Sequence, residues 1–121
     1  MKKLIYISFL LSIGSLLVGA EVAIEKAQRV AGNIYVERSN TDTMNDFNIQ
    51  YIDIIDENST NLIYIFQLEP NGFIMVSGDD RVQPMLAYSF ESSFVMENMP
   101  SNVSWMIDAY KGMISNMIES D

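Results

Sequence analysis

The sequence predicts an α+β domain in which a four-stranded antiparallel sheet packs against an N-terminal and a C-terminal helix. Three observations predict this fold class. Apolar residues recur at helical spacing near both ends of the chain, the period of hydrophobicity changes to two in the middle, and turns rich in Gly, Pro and Asp separate the middle segments. At 121 residues the chain is long enough for one such domain.

Residues 1–20 have the pattern of a secretory signal peptide. Two lysines precede an apolar run over residues 4–18, and Val18-Gly19-Ala20 fits the small-residue rule for cleavage. The run is shorter than the roughly 20 residues that span a bilayer, which argues against a membrane anchor. We therefore expect cleavage before Glu21, a mature domain over residues 21–121, and an exported product that is periplasmic or secreted.

The first helix is predicted over residues 21–36. Small and branched apolar residues recur there at helical spacing, with charged and amide side chains between them. The apolar positions are Ala23, Ala27, Val30, Ala31 and Ile34. Gly32-Asn33 is expected to end or fray this helix, and the polar residues 37–46 are typical of a loop.

Two strands come next, joined by a polar turn over residues 56–60. The first strand, residues 47–55, alternates imperfectly. Its apolar residues divide into one face with Phe47, Ile49 and Tyr51 and a second face with Ile52 and Ile54. The second strand, residues 62–68, alternates more strictly but is apolar on both faces. Such strands are typical of a sheet that is covered on both faces, at least at its centre.

Two further strands are marked by their turns. Pro70-Asn71-Gly72 predicts a hairpin, because proline sets the first turn position and Asn-Gly tolerates a positive φ. The return strand covers residues 73–77, and Gly78-Asp79-Asp80-Arg81 turns the chain again. The fourth strand covers residues 85–90, directly after Pro84, where a missing N–H does little harm.

The second helix is predicted over residues 103–118, where apolar residues form one broad stripe. Ser101 or Asn102 is expected to cap its start. The stripe is rich in Met, which is adaptable enough to line a groove, but packing in the core is the expectation. Trp105 lies beside the stripe, so two alternatives remain open for it, a half-buried side chain and an interface anchor.

The composition excludes several kinds of chemistry. The chain has no Cys and no His, so thiol and imidazole catalysis and zinc sites of the Cys/His type are excluded. Without the expected leader, the chain has five basic and 16 acidic residues, which gives a formal net charge of −11. Nucleic-acid binding requires Lys and Arg at phosphates and is not expected. The charge is interpreted as a means of solubility, with steering toward a basic partner as the alternative.

Two short patterns have competing interpretations. Asp79-Asp80-Arg81 is interpreted as a solvated turn rather than a catalytic or calcium site, because calcium requires six or more oxygen ligands. Gln28-Arg29-Val30-Ala31-Gly32 matches the Q-x-V-x-G wedge of cystatin-type inhibitors. In that family the motif joins two strands after a long helix, whereas here it lies within the first predicted helix. The cystatin interpretation is therefore rejected.

A longer pattern carries a resemblance to a known family. Gly72-Phe73-Ile74-Met75-Val76-Ser77-Gly78-Asp79-Asp80-Arg81 is similar to the run G-F-[VI]-[IM]-V-S-G-D-[DK]-R of streptopain-family cysteine-protease pro-domains and their stand-alone inhibitors. Pro84-Met85-Leu86-Ala87-Tyr88-Ser89 continues the match, except that Ala87 stands where that family usually has Gly. Further matches are Phe94, Trp105 and Tyr110. Residues 37–60 match poorly.

The resemblance implies inhibition of a streptopain-like cysteine protease of the papain fold. In that family the pro-domain covers the active-site cleft, and an Asn at the start of the last helix is implicated in occupying it. Asn102 stands at the matching position, and a plain helix cap is the alternative role. The expected protease-contact residues are Asn98, Met99, Pro100, Ser101, Asn102 and Val103.

The resulting expectation is a non-covalent inhibitor that acts in trans, because the sequence stops at Asp121, where a precursor would continue into a catalytic domain. No catalytic residue, cofactor or metal is expected, and the free protein is expected to be a monomer. The alternative is an exported binding or folding-chaperone module for a separately encoded protease or surface partner. Only the inhibitor hypothesis predicts that protease turnover is lost.

Overall fold

The protein is described by a computed structural model over residues 21–39 and 46–119. The predicted signal peptide, residues 1–20, lies outside the described residues. The elements in chain order are α1 (Ile24–Arg38), β1 (Ile49–Glu57), β2 (Thr60–Leu68), β3 (Phe73–Ser77), β4 (Met85–Ser89) and α2 (Ser101–Glu119). The predicted α+β class, with a four-stranded antiparallel sheet between an N-terminal and a C-terminal helix, is confirmed. Neither of these two helices has the length and apolar character that a membrane crossing requires.

The four strands form an antiparallel meander in the order β1-β2-β3-β4, so every strand pairs with its neighbour in sequence. Between β1 and β2, Asn58 and Ser59 have φ angles of 52° and 66°, as in a two-residue turn whose twist matches that of the sheet. Between β2 and β3 the predicted Pro70-Asn71-Gly72 turn is confirmed. Its positive φ falls on Gly72, whose carbonyl accepts a hydrogen bond from Leu68 N–H at 2.9 Å.

Each face of the sheet is covered by one helix. Alternate side chains of a strand point to opposite faces, and β2 is buried on both. The core beneath α1 includes Ala27, Ala31, Ile34, Tyr64, Phe66, Ile74 and Val76. The core beneath α2 includes Ile63, Ile65, Met75, Phe94, Ile107 and Ile114. The prediction of a sheet covered on both faces is therefore confirmed at its centre.

The first helix begins and ends later than predicted, covering Ile24–Arg38 rather than residues 21–36. Gly32-Asn33 neither ends nor frays it, because α1 continues to Arg38. Beyond the glycine, Ile34 is buried, and the ring of Tyr35 lies 5.5 Å from that of Phe47, measured between centroids. Packing of this last part of the helix outweighs the cost of about 1 kcal/mol for a glycine inside a helix.

The first strand departs from its predicted face pattern. The pairing of β1 with β2 shifts by one residue at Gln50, and such a bulge reverses the alternation of faces beyond it. Tyr51 therefore lies on the α2 side of the sheet rather than with Ile49. Ile52 packs with Ile49 beneath α1. The predicted grouping of Phe47, Ile49 and Tyr51 on one face is wrong for Tyr51. The prediction that Ile52 and Ile54 lie on the opposite face from Ile49 is also wrong.

Candidate interaction surface

An exposed surface follows the last strand and continues onto the start of α2. We call it the 95–105 surface, and it consists of Val95, Met96, Asn98, Ser101, Asn102 and Trp105. Val95 is 67% exposed and Trp105 is 73% exposed. Several large apolar side chains exposed within one short segment are typical of a site of protein interaction.

Trp105 lies on the side of α2 that faces away from the core. Its neighbours two positions away, Val103 and Ile107, both pack against the core beneath α2. Because each helical residue turns by about 100°, a residue two positions from them points in roughly the opposite direction. Ser101 and Asn102 precede Trp105 by one turn and share its face. Of the two alternatives for Trp105, the half-buried side chain is therefore wrong.

The six predicted contact residues divide into two groups. The exposed residues are Asn98, Pro100, Ser101 and Asn102. The other two, Met99 and Val103, pack against the core beneath α2. This packing holds the segment from both sides and leaves the polar side chains between them facing outward.

The start of α2 has Pro100 at the cap position. Its carbonyl accepts hydrogen bonds from Val103 N–H and Ser104 N–H, both at 3.0 Å. Within residues 21–39 and 46–119, the side chains of Ser101 and Asn102 form no hydrogen bond. The side-chain cap predicted for this helix is therefore not observed. The Asn102 amide, which can donate and accept, is not used by the described part of its own domain.

Phe94 fixes the chain directly before the 95–105 surface. Its buried ring meets that of Phe73 at a centroid separation of 5.3 Å and an interplanar angle of 64°. Its main chain is bound by the side chain of Gln67 in β2. Phe94 N–H donates to Gln67 Oε1 at 3.0 Å, and Gln67 Nε2 donates to Phe94 O at 2.7 Å.

Gln67 is absent from the predicted site residues. Its Nε2 also donates to Asp53 Oδ2 on β1 at 3.1 Å, so one buried amide connects two strands to the segment after β4. The signal in the sequence is a single amide at an inward position of the apolar run over residues 62–68. That signal marks a buried polar group but does not identify its partner.

A second region, which we call the 77–82 junction (residues 77–82), joins three parts of the fold. Gly78 N–H donates to Leu62 O of β2 at 2.7 Å, and Gly78 O accepts from Val22 N–H, just before α1, at 3.0 Å. A Cβ atom built on Gly78 would lie 2.2 Å from Asn61 O. Glycine is therefore the residue that permits this close approach of two backbones.

Asp79 belongs to the junction and is 2% exposed. Its Oδ1 accepts hydrogen bonds from the main-chain N–H of Arg81 at 2.9 Å and from Arg81 Nε at 3.0 Å, and its Oδ2 accepts from Arg81 Nη2 at 2.9 Å. The pKa of the Asp79 carboxyl is lowered below its ordinary value. The main cause is the hydrogen bonding from the Arg81 side chain. The predicted turn is confirmed, but the prediction that it is solvated is wrong for Asp79.

The methionine-rich stripe of α2 is only partly core. Ile107 and Ile114 are buried and Met106 packs against them. Met113 and Met117 are 43% and 37% exposed. The prediction that the stripe packs in the core is confirmed at its centre. It is wrong for Met113 and Met117, which are exposed.

Comparison with known proteins gives two matches. A family model described as Spi protease inhibitor matches residues 19–114, which include the 77–82 junction and the 95–105 surface. The thiol protease/hemagglutinin PrtT of Porphyromonas gingivalis is 26% identical over 115 residues, which is 92% of this chain. The chain spans 13% of the length of that protein. No solved structure matches.

Proposed function

The chain belongs to the Spi protease inhibitor family, and we propose that it inhibits a streptopain-like cysteine protease of the papain fold. In this proposal the domain places the 95–105 surface over the active-site cleft and excludes the substrate without forming a covalent bond. The observation that carries the proposal is an exposed Trp105 beside the Asn102 amide, which forms no hydrogen bond within the described residues, on a segment fixed to the sheet.

Trp105 is the proposed anchor of the interface. Tryptophan is enriched among the residues that dominate binding energy, because burial of its ring removes a large apolar area from water. In the free domain this ring is largely exposed, so most of its area is available to a partner. Val95 and Met96 add exposed apolar side chains just before the helix. The complete interface is expected to bury about 1,600 Å² on both partners together.

Asn102 is the residue proposed to enter the cleft. The role follows from the family resemblance, and the exposed position at the start of α2 supports it. An amide both donates and accepts, so it can bond the protease groups that otherwise hold the substrate backbone. Asn98, Pro100 and Ser101 are proposed to contact the cleft around it. The other two expected contact residues, Met99 and Val103, pack against the core beneath α2 and support the surface from beneath.

We further propose that the protein is exported, is a monomer when free and has no catalytic activity. Membership of a protease inhibitor family and the lack of Cys and His in the sequence support the last point. Without the expected leader the formal net charge is −11, which favours a target protease with a basic rim around its cleft. Such complementarity acts mainly on the association rate and weakens as salt is added.

The test is a titration of the purified protein into an active streptopain-family protease, followed by hydrolysis of a peptide substrate. We expect turnover to fall to zero near a one-to-one ratio of the two proteins. Full turnover in the presence of a large molar excess contradicts the proposed inhibition of that protease. Gel filtration of the same mixtures shows whether a complex has formed.

A second candidate function is a module that binds a protease or assists its folding without blocking it. The observation that favours it is the match to PrtT, which is named a thiol protease and is matched over 13% of its length. A related domain therefore occurs within a larger chain that carries a protease name. In the titration this candidate predicts a complex with undiminished turnover. In refolding it predicts a higher yield of active protease when the domain is added.

A further inference from the structure

The side chain of Gln67 is fully buried in the middle of the domain. It lies on the face of β2 that also carries Ile63 and Ile65, where the core beneath α2 is apolar. Burial of an amide in such surroundings is unfavourable unless its hydrogen-bonding groups are satisfied. Gln67 meets that condition through bonds to Phe94 and to Asp53.

The geometry of these bonds resembles the pairing of one strand with another. Gln67 accepts from the N–H of Phe94 and donates to the carbonyl of the same residue, so it satisfies both main-chain groups that a neighbouring strand would satisfy. The chain at Phe94 is not part of a strand. A side chain therefore holds this point of the backbone against the sheet.

We propose that Gln67 is a positioning residue for the 95–105 surface. The segment between Phe94 and α2 is held at one end by Gln67 and at the other by the packing of Val103 and Ile107. With both ends fixed, Val95 and Met96 keep one arrangement before a partner arrives. Binding then requires less ordering of the segment, which strengthens the complex without any contact from Gln67 itself. This inference rests on the proposed inhibition of a protease.

The test compares Gln67→Met with Tyr64→Phe in the full chain. Gln67→Met keeps the length of the side chain and removes its hydrogen bonds. Tyr64→Phe is the matched control, because it removes another buried hydrogen bond, from the Tyr64 hydroxyl to Val22 O at 2.7 Å, on the side of the sheet beneath α1. Each variant is measured for its inhibition constant, for its thermal stability and for amide hydrogen exchange over residues 94–100.

We expect Gln67→Met to raise the inhibition constant about tenfold and to accelerate exchange over residues 94–100, because the segment must be ordered on binding. Tyr64→Phe is expected to lower thermal stability while both of these readouts stay at the level of the unmodified protein. Accelerated exchange with an unchanged inhibition constant overturns the proposal. A raised inhibition constant with unchanged exchange also overturns it.

Two further arms keep the test decisive. If Gln67→Met does not fold, Asp53→Ala removes one of the hydrogen bonds of Gln67 from a half-buried position, and the same two changes are expected at smaller size. If the unmodified protein inhibits no tested protease, the proposed function fails. Exchange over residues 94–100 then decides by itself whether Gln67 fixes the segment, and unchanged exchange overturns that inference.

Discussion

The 77–82 junction and the 95–105 surface lie close together in the sequence but are built in opposite ways. In the junction, Gly78 and Asp79 are buried, and their polar groups are bonded to β2, to the segment before α1 and to Arg81. In the surface, Trp105 and Asn102 are exposed. The long motif that carries the family resemblance therefore maintains the fold, whereas the proposed contact residues belong to the part of the chain where the motif is weaker.

This difference separates two kinds of response to substitution. A change in the junction should lower the free energy of unfolding and should alter inhibition only through the fraction of folded protein. A change in the 95–105 surface should alter inhibition and leave the free energy of unfolding unchanged. Each of the following substitutions tests one side of that comparison.

Gly78→Ala is expected to have the largest effect. Its new Cβ would lie 2.2 Å from Asn61 O, and the backbone cannot withdraw without breaking its bonds to Leu62 and Val22. We expect a loss of about 4 kcal/mol in the free energy of unfolding, or failure to fold, measured by urea denaturation. Gly112→Ala is the control, because a Cβ there meets nothing within 4 Å, and it should stabilise α2 by about 1 kcal/mol. Equal stability of the two variants would refute the close-approach explanation.

Arg81→Met should be the next most damaging change. It removes the guanidinium from a buried carboxylate, and an uncompensated buried charge costs about 3 kcal/mol of stability. Thermal and urea unfolding measure the loss. Asp80→Asn is the control, because Asp80 is exposed beside the same turn, and it should change stability by less than about 0.5 kcal/mol. Inhibition per folded molecule should be the same in both variants, and a specific loss in Arg81→Met would place the junction in the interface.

Trp105→Ala should weaken inhibition strongly and leave stability unchanged. Loss of an anchor of this kind costs about 2 kcal/mol of binding free energy, or roughly a 30-fold higher inhibition constant. Stability should stay within about 0.5 kcal/mol, since the side chain is mostly exposed. Ile54→Ala is the control, because Ile54 is an exposed apolar residue on the α1 side of the sheet. If both variants inhibit like the unmodified protein, Trp105 is not an anchor.

Asn102→Ala should weaken inhibition by about 1 kcal/mol, or roughly fivefold, through loss of hydrogen bonds in the cleft. Thermal stability should not fall, because the Asn102 side chain forms no hydrogen bond within the described residues and Ala is a better helix former. Asn116→Ala, at an exposed position further along α2, is the control. A parallel loss of stability and inhibition in Asn102→Ala would indicate a helix cap.

The pH dependence of stability should show the smallest effect. The folded protein lowers the pKa of the Asp79 carboxyl. The contribution of this carboxylate to the free energy of unfolding is therefore complete above the unfolded-state pKa of about 3.9. The contribution is lost as the pH falls through the lower folded-state pKa. Thermal unfolding from neutral to acidic pH measures it as the difference between the unmodified protein and Asp79→Asn. A difference that grows as the pH falls would contradict the assignment.

Much of the fold could be predicted because its signals are local. The change in hydrophobic period located the strands, and the Pro70-Asn71-Gly72 turn follows from residues that tolerate positive φ. The turn at Asn58-Ser59 falls within the polar residues 56–60, where a turn was predicted. The burial of both sheet faces could be predicted from β2, because its residues are apolar on both sides. In each case a few neighbouring residues determine the outcome.

The features that could not be predicted depend on distant partners. The helix passes through Gly32 because later residues pack on the sheet, and the bulge at Gln50 appears only when β1 pairs with β2. Asp79 is buried by packing around a turn that looks polar. The role of Gln67 depends on Phe94, which is 27 residues away. A half-buried side chain and an interface anchor were both open for Trp105, because its position at the margin of the stripe fits both.

The meander order of the sheet has a consequence for folding kinetics. Each strand pairs with its neighbour in sequence, so the sheet has low contact order and is expected to assemble rapidly. The hydrogen bond between Tyr64 and Val22 instead spans 42 residues, and closing so long a loop is entropically costly before the sheet exists. The segment before α1 should therefore dock late. Substitutions at Val22 should accelerate unfolding more than they slow folding.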